Sequence, residues 1–453
     1  MICVDDLNNW ISCMNGHPNA KTPHIDQLAQ NGILFTNAHC QVPLCGPSRA
    51  SIMSGLRPST TGIYGQIKDD DIRKKNPATE NIQFLPEYLA ANGYHTMGVG
   101  KIFHHHAPKG VFHESGGRAH GFGPKPAKRM NWTSKRTKQY GGTSTDWGPF
   151  PAADSLMPDV ASVRWAQERL KRTYDQPFFM AVGFLRPHVP WHVPQKWFDM
   201  HPLEQIETPP YLPSDRDDLP EIARQLDDLP MMPSTQWAIQ SGKWKEIVQA
   251  YLACVSFVDH YIGELLQTLK ESPYADNTII VFWSDHGYRL GQKGTFAKHC
   301  LWKEATHTPL IFSGTPIRNN IKCDAPTELL SIYPTLLELC GLPVNTTNEG
   351  KSIAAYISNG DKRALTKSAL TTYGWKNHSL RTSKYRLIHY SDGSSELYDH
   401  KKDSNEWHNI AMKKKKTVKQ IQHLLPQQNA LWAPTSSYRY NPFFINDKKK
   451  HSK

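Results

Sequence analysis

Three carboxylates follow two predicted strands of the chain. Asp5 and Asp6 come directly after "MICV", and Asp285 comes directly after "TIIVFWS". Because ligands of open α/β sheets bind beyond the carboxyl ends of the strands, we expect these side chains at one edge of one sheet. Clustered carboxylates repel one another unless a divalent cation lies between them, and oxygen ligands favour Ca²⁺ or Mg²⁺ over zinc. The pattern indicates a metal site, although an Asp pair after a strand is more commonly a turn or a helix cap.

A single cysteine stands at the start of a predicted helix. Cys45 lies in "LCGPSR", ahead of the helix "PSRASIMSG", which we expect to end at Gly55. Ser48 is placed to cap this helix, and Arg49 brings a guanidinium into its first turn. A helix N-terminus and a nearby cation favour a thiolate, so the pattern predicts a lowered pKa and a reactive Cys45. A buried structural thiol is the commoner role of a lone cysteine, and the residues alone leave both roles open.

The elements that must position these residues alternate along the chain. Predicted helices such as "TPHIDQLAQNG", with Thr22 as its N-cap, alternate with apolar strands such as "PFFMAVGFL" up to about residue 350. Such alternation predicts an α/β domain with a largely parallel sheet. After "SALTTY" the strands become short, and "SDGS" joins two of them as a hairpin. We therefore expect an N-terminal domain over 1–360 and a small antiparallel subdomain over 361–453.

Composition limits the classes of protein and partner. The chain has 453 residues, 38% of them apolar, and a net charge of +12. This basic balance suits a polyanion, either a nucleic acid or a sulfated polysaccharide, and the absence of nucleic-acid-binding motifs disfavours the former. No apolar run is long enough for a membrane span.

The eight cysteines form no CxxC pair, which disfavours a zinc or redox motif. If Cys45 is reserved for chemistry, at most three disulfides can form. Because "MICV" resembles the end of a strand, we expect an exported protein whose leader is missing from this chain.

The motifs resemble those of type I sulfatases. "CGPSR" fits C-x-P-S-R, the core of the family's signature, and "ASIMSGLRPSTTGIY" is similar to its continuation. "VDDLN", "VGKIFH", "PFFMAVGFLRPHVPW", "SDHGYRLGQKGTFAKHCLWKEATHTPLI" and "SELYDHKKDSNEWHNIA" resemble further family segments, in the family's order. Within the family, "GFLRPHVPW" and "GKIFH" look most like iduronate-2-sulfatase and related bacterial polysaccharide sulfatases. "GQKG" departs from the "GEHG" of many relatives, so substrate contacts there can differ.

The resemblance implies a fold and a set of cofactors. The fold would be an alkaline-phosphatase-like sandwich, with a large, mostly parallel central sheet flanked by helices and a small C-terminal antiparallel sheet. A formylglycine-generating enzyme would convert Cys45 to formylglycine, which would serve as nucleophile and metal ligand. Ca²⁺, rather than Mg²⁺, would be held by Asp5, Asp6, Asp285 and His286. His286 stands where many relatives have Asn, although the iduronate type has His.

The resemblance also implies roles for five further residues. Arg49 would stabilise the formylglycine hydrate, and Lys101 and Lys298 would bind the sulfate oxygens. His104 would contact the formylglycine and act as a base, although the run "FHHH" leaves its register open by one residue. His188 would protonate the leaving group. An alkoxide is a poor leaving group, and proton transfer of this kind contributes roughly 10²–10⁴-fold to the rate.

The substrate predicted from charge and aromatic content is a sulfated carbohydrate. It would be a glycosaminoglycan or a marine algal glycan such as carrageenan, and we expect Trp191, His192, Trp375, His378 and Arg381 to contact it. Two alternatives stay open. One is a phosphate or phosphonate ester hydrolase of the alkaline-phosphatase-like superfamily. The other is a non-catalytic polyanion-binding protein, should Cys45 remain unconverted. No nucleic-acid partner is expected, and the oligomeric state is not predicted.

Overall fold

The structure is a computed structural model that describes residues 1–74, 76–118, 121–133, 144–439 and 441–452. Part of the Gly-, Lys- and His-rich stretch 101–150, which we expect to be mostly loop, lies outside the described residues. The strands within the described ranges are β1 Ile2–Val4, β2 Gly32–Phe35, β3 Ala38–His39, β4 His95–Gly100, β5 Glu114–Gly117, β6 Trp147–Pro149, β7 Phe178–Phe184, β8 Trp191–Val193, β9 Ile279–Ser284, β10 His307–Thr308, β11 Leu310–Gly314, β12 Ile321–Cys323, β13 Thr327–Glu328, β14 Ser368–Thr372, β15 His378–Thr382, β16 Tyr385–His389 and β17 Ser395–Asp399.

Helices alternate with these strands. They are α1 Pro23–Gln30, α2 Cys45–Ser54, α3 Pro58–Thr61, α4 Leu85–Ala91, α5 Pro158–Leu170, α6 Gln195–Asp199, α7 Glu221–Leu226, α8 Thr235–Gln240, α9 Trp244–Lys270, α10 Lys303–Thr306, α11 Ile332–Leu339, α12 Ala354–Asn359, α13 Lys415–Gln422 and α14 Pro442–His451. Among the described helices, none is both long enough and apolar enough to cross a membrane.

The large central sheet has eight strands in the order β12-β2-β11-β9-β1-β7-β4-β5. Every neighbouring pair is parallel except the two pairs that involve β11, which runs antiparallel to β2 and β9. This confirms the predicted α/β class with a mostly parallel sheet. The central position of β1, between β7 and β9, places its carboxyl end in the middle of the sheet edge.

Helices cover both faces of this sheet. Ile2 and Val4 of β1 pack into the core formed with α1, α5 and α9, whereas Cys3 packs into the core formed with α2, α4 and α11. Side chains of a strand alternate between its two faces, so a strand buried on both sides must be apolar throughout. The apolar runs "MICV" and "TIIVFWS" satisfy this requirement.

The C-terminal part of the chain forms a separate four-stranded antiparallel sheet in the order β14-β15-β16-β17. The segment "SDGS" connects β16 to β17, as expected for a hairpin. The sheet packs against α13 through a small apolar cluster that includes Leu387 and Ile421. It lies within the predicted range 361–453, whose boundary stays a prediction.

One local detail, the cap of α1, differs from the expected one. Thr22 precedes α1 but makes no capping bond to it, since its hydroxyl instead donates to the side chain of Asp26 at 3.1 Å. All eight cysteines, each within the described part of the chain, are free thiols, and Cys45 is among them.

Candidate active site

The carboxyl ends of β1 and β9 bring the three predicted carboxylates together. The two strands are parallel neighbours with Val4 opposite Ser284, so the residues that follow them leave the sheet side by side. The backbone N–H of Asp6 donates to Oδ1 of Asp285 at 3.2 Å, and Asp6 has a left-handed φ of 62°. Both side chains are fully buried, which makes their charges costly unless cations compensate them.

Helix α2 begins at Cys45 itself, with Leu44 as its N-cap, and ends at Gly55 with a left-handed φ of 74°. Ser48 is therefore inside the helix and does not cap it, contrary to the sequence prediction. Its hydroxyl instead donates to the backbone carbonyl of Asp285 at 2.6 Å. This bond fixes the start of α2 against the end of β9 and so places the Cys45 thiol over the carboxylates.

The thiol itself is not activated. Cys45 is 1% exposed, and burial together with the charge of Asp5 raises its pKa well above the ordinary value, although Lys101 and Lys298 act in the opposite direction. The prediction of a lowered pKa is therefore wrong. A helix start and nearby cations lower the pKa of a thiol that water can reach, but here burial outweighs them.

Three buried cations neutralise the carboxylates. The guanidinium of Arg49 donates from Nε to Oδ2 of Asp285 at 2.8 Å and lies 3.5 Å from Oδ1 of Asp5. Lys101 pairs with the other oxygen of Asp5. The ammonium of Lys298 lies 2.6 Å from Oδ1 of Asp6 and 2.9 Å from the Cys45 sulfur. Lys298 therefore bridges the thiol and the carboxylates.

Two histidines complete the cluster. Nε2 of His286 lies 3.2 Å from the Cys45 sulfur and 3.4 Å from Oδ1 of Asp6, while its Nδ1 faces the Gly287 carbonyl at 2.9 Å. Nε2 of His188 lies 3.9 Å from Oδ2 of Asp6. Burial and then Lys298 hold the pKa of both imidazoles well below the usual range. Both rings are therefore neutral, and a proton on Nδ1 of His286 leaves the lone pair of Nε2 pointing into the cluster.

His104 faces inward, whereas His105 and His106 are exposed. Nδ1 of His104 is buried and has no hydrogen-bond partner among the described residues. Burial lowers the pKa of this ring, and Lys101 is the charge that lowers it most. The backbone N–H groups of all three histidines donate to the carboxylate of Asp69, which sequence reasoning missed. The run of three aspartates at 69–71 was the available signal.

The cluster has the donor set of a divalent-cation site. Oδ2 of Asp6 is buried and has no hydrogen-bond partner in the described part of the chain. Burial raises the pKa of Asp6 to about 7 and that of Asp285 to about 6, and each carboxylate also repels Asp5. Ligand atoms of two overlapping sets lie within 4.8 Å of one another: Asp5, Cys45, Asp285 and His286, and Asp5, Asp6, Cys45 and His188. The three carboxylates supply oxygen donors, which fit a hard cation.

Two predicted sugar contacts are buried in the protein. The ring of Trp191 is fully buried, packs edge-on against Tyr251 and Tyr288, and donates from Nε1 to the Pro187 carbonyl. His192 is 2% exposed. A fully buried ring has no face to offer a sugar, so this placement corrects the expectation for Trp191, whereas contact of His192 with the substrate stays a prediction. Their apolar neighbours "VPWHV" had signalled a core position.

The three predicted contacts of the C-terminal subdomain lie apart from the carboxylates. Trp375 stacks on His451 at 3.7 Å between ring centroids, and Nδ1 of His378 faces the Thr372 hydroxyl at 3.1 Å. Arg381 donates to the carbonyl of Thr382. Within the described residues none of the three touches the cluster around Cys45, and their role in substrate binding stays a prediction.

Comparisons with known proteins agree with this geometry. The family model described as "Sulfatase" matches residues 1–342, and the model described as "N-sulphoglucosamine sulphohydrolase, C-terminal" matches residues 291–431. The chain belongs to the sulfatase family. This sulfatase is therefore a sulfuric ester hydrolase, and a metal and a formylglycine made from the signature cysteine are typical of its family.

Two relatives and one solved structure illustrate the similarity. A protein named "Sulfatase" from Formosa agariphila is 56% identical over 99% of this sulfatase and 90% of its own length. "Iduronate 2-sulfatase" from Homo sapiens is 32% identical over 76% of this chain and 69% of its own length. A structure solved with its substrate D-glucosamine-2-N,6-O-disulfate has a TM-score of 0.73 at 24% identity, over 94% of this chain and 96% of its own. The solved structure supports the alkaline-phosphatase-like fold.

Proposed function

We propose that this sulfatase hydrolyses the O-sulfate esters of a sulfated carbohydrate, an anionic polysaccharide or its oligosaccharides, with Cys45 converted to formylglycine and Ca²⁺ as the metal. The observation that carries the proposal is the position of Cys45, whose sulfur lies 2.9 Å from the Lys298 ammonium and 3.2 Å from His286 above three buried carboxylates. A relative named for iduronate and a structural neighbour solved with a disulfated glucosamine support a sulfated sugar.

Asp5, Asp6, Asp285 and His286 would hold the Ca²⁺, which supplies positive charge for the sulfate oxygens when bound. Three carboxylates provide the oxygen donors that this ion prefers. Neutral His286 is the softest of the four ligands, because nitrogen is less usual than oxygen for calcium.

Conversion of Cys45 is supported by the thiol's own environment. Burial raises the pKa of Cys45 far above neutrality, so an unmodified thiol would be a poor nucleophile at physiological pH. Formylglycine would supply a hydrated aldehyde as the nucleophile in place of this thiol, and the second hydroxyl of the hydrate would allow the aldehyde to be regenerated in each cycle. Arg49, anchored on Asp5 and Asp285, places a fixed positive charge beside this group.

The remaining residues bind the sulfate and move protons. Lys101 and Lys298 donate hydrogen bonds to the sulfate oxygens, the kind of charge stabilisation that usually contributes most to such transfers. In the overall reaction water replaces the sugar on sulfur, and the sugar oxygen leaves with a proton. Nε2 of His188 is placed to deliver that proton, since Nδ1 faces the Val189 carbonyl at 2.6 Å. A bound sulfate adds negative charge near this ring and favours its protonated form. Nδ1 of His104 can accept a proton from the nucleophile.

Mass spectrometry and a sulfate-release assay test the proposal together. Protein made with a formylglycine-generating enzyme should show a lighter tryptic peptide over residues 22–49, and the modified Cys45 should resist alkylation. This protein should release sulfate from at least one member of a panel of sulfated glycosaminoglycan and algal oligosaccharides. A chelator should abolish the release, and Ca²⁺ should restore it.

The Cys45→Ser variant should lose turnover by on the order of 10⁴-fold or more, because an unoxidised serine lacks the second hydroxyl of the aldehyde hydrate. Cys340→Ser, a half-buried thiol outside the cluster, is the matched control and should keep full activity. Full turnover by Cys45→Ser would contradict the mechanism. Release of phosphate from the phosphate analogues at a rate above that of sulfate release would instead favour a phosphate ester hydrolase.

A further inference from the structure

An aromatic ring connects the sulfate-binding residues to a further cation. The Phe122 ring lies 5.0 Å from the ring of His188, between centroids, and 5.9 Å from the Lys101 ammonium. The guanidinium of Arg118 lies over the same ring at 4.8 Å. One aromatic side chain therefore separates Arg118 from the two residues placed against the sulfate and the leaving group.

The backbone around Phe122 is held firmly. Nη2 of Arg186, which is fully buried, donates to the Phe122 carbonyl at 3.1 Å, and the same guanidinium donates to the carbonyls of His188 and His192. Arg118 itself donates from Nη1 to the His104 carbonyl at 3.0 Å and from Nε to the Gly121 carbonyl at 3.3 Å. These bonds fix the direction in which the guanidinium points.

Arg118 has no carboxylate partner among the described residues, whereas three fully buried arginines each have one. Arg49 pairs with Asp285, Arg289 pairs with Asp227, and Arg386 pairs with Glu406. Arg118 is half-buried, and no carboxylate of a described residue forms an ion pair with it. Its Nη2 makes no hydrogen bond to any described residue.

Two carbonyls accept from Nε and Nη1 of Arg118, and its Nη2 stays available as a charged donor for an anionic ligand. Burial lowers the pKa of Arg118, while the charges of Asp5 and Cys45 act in the opposite direction. The guanidinium therefore lies within electrostatic reach of the residues that would surround the scissile sulfate. Its planar fork matches a carboxylate or a sulfate with two parallel hydrogen bonds.

We propose that Arg118, supported by Phe122, is a specificity-determining residue that binds a second anionic group of the substrate, a carboxylate or a further sulfate near the sulfate that is cleaved. This inference rests on the proposed function and narrows it to sugars that carry at least two negative charges. The sequence alone does not indicate this role for Arg118, because "HESGGR" resembles an ordinary solvated loop.

The experiment compares a singly charged with two doubly charged sugars. The probes are a monosulfated hexose with no other charged group, a disaccharide that carries one sulfate and one uronate carboxylate, and a disulfated glucosamine. Their affinities are measured by calorimetry on Cys45→Ser protein, which cannot turn them over, with and without Arg118→Ala. The ratio of kcat/KM between the sugars is measured in parallel on converted protein.

We expect Cys45→Ser protein to bind at least one doubly charged sugar about tenfold to a hundredfold more tightly than the monosulfated hexose, the range of a charge-assisted hydrogen bond. Arg118→Ala should remove most of this preference, and Arg118→Lys should keep part of it. Arg164→Ala, which removes an exposed arginine of α5, should leave the preference unchanged. The carboxylate and sulfate probes show which of the two anions Arg118 recognises.

The inference is overturned if neither doubly charged sugar binds more tightly than the monosulfated hexose, or if Arg118→Ala leaves the preference intact. An equal loss of affinity for all three sugars would also overturn it, since Arg118 would then act on the cleaved sulfate or on the fold. Failure of the proposed function looks different, because converted wild-type protein would release no sulfate from any sugar while the calorimetric preference could still be measured.

Discussion

The pKa values of two fully buried carboxylates of this protein are shifted in opposite directions. Glu406, in the C-terminal part, accepts from Arg386, from the backbone N–H of Lys303 and from His400, whose Nε2 lies 2.6 Å from Oε1. Burial alone would raise the pKa of Glu406, but these partners hold it far below the usual range. Asp6 keeps one oxygen without a partner among the described residues, and its pKa is raised to about 7.

The difference separates a structural ion cluster from a functional one. Around Glu406 each carboxylate oxygen has a partner, so the charge needs nothing from outside the protein. Around Asp6 three carboxylates compete for their cations, and the unsatisfied oxygen faces other potential metal ligands. Burial of charge is common to both regions, and the site around Asp6 is marked by a carboxylate oxygen without a partner among the described residues that lies beside other potential metal ligands.

The largest expected effect on stability is that of Glu406→Gln. The substitution leaves the buried Arg386 without its charge partner, and breaking such a pair costs about 3–5 kcal/mol. Urea unfolding at pH 7.5 should show this loss. Because the folded pKa of Glu406 is lowered, its stabilisation is present above its ordinary pKa of 4.5 and is lost as the pH falls below it. A change of less than about 1 kcal/mol would show that the pair is not structural.

Lys298→Ala should lower kcat/KM by about 10²–10³-fold, because it removes a cation that would face the transferred sulfate. The assay is sulfate release from the best substrate of the panel. Lys293, which pairs with Asp215 at 2.5 Å, provides the matched control. Lys293→Ala should lower the melting temperature but keep the kcat/KM of the folded fraction. An equal loss of kcat/KM in Lys298→Ala and Lys293→Ala would contradict the assignment of Lys298 to the sulfate site.

The smallest expected effect is a gain in stability. In metal-free protein at pH 8, Asp6→Asn should raise the free energy of unfolding by on the order of 1 kcal/mol. Because the pKa of Asp6 is raised from 3.8 to about 7 on folding, the folded state binds more protons than the unfolded state between these values. Ionisation of Asp6 therefore costs stability as the pH rises through this window.

Urea unfolding at pH 5 and pH 8 checks this result. Metal-free wild-type protein should lose more stability between the two pH values than Asp6→Asn, and added Ca²⁺ should stabilise the wild type at pH 8 more than the variant. The left-handed φ of 62° at position 6 also suits Asn. A metal-free Asp6→Asn protein that is less stable than the wild type at pH 8 would contradict the contrast with Glu406.

Much of the fold was predictable because its signals are local. The apolar runs before Asp5 and Asp285 identify strands buried on both faces, and parallel pairing then brings their carboxyl ends together. Gly55 ends α2 as predicted, because it adopts a left-handed φ that other residues avoid. The "SDGS" turn likewise identified a hairpin of the C-terminal sheet.

The errors concern residues whose role depends on distant partners. Ser48 has the residue type and position of a helix cap, but the Asp285 carbonyl, 237 residues away in sequence, takes its hydroxyl. Trp191 follows a predicted functional histidine, yet it packs between Tyr251 and Tyr288. The Asp285 carbonyl and the two tyrosines cannot be identified as partners from local sequence, since they belong to other parts of the fold.

The sequence by itself determined the types and order of the reactive residues. The signature around Cys45, the aspartates after apolar strands and the lysines and histidines of later motifs identify the family and the expected chemistry. Only the tertiary structure decided the electrostatic state of each group. Burial keeps the Cys45 thiol protonated and raises the pKa of Asp6. Arg118 forms no ion pair with a carboxylate of the described residues, and the proposed site for a second anion rests on this observation. These properties depend on desolvation and on distances between residues far apart in the chain, which the order of residues does not show.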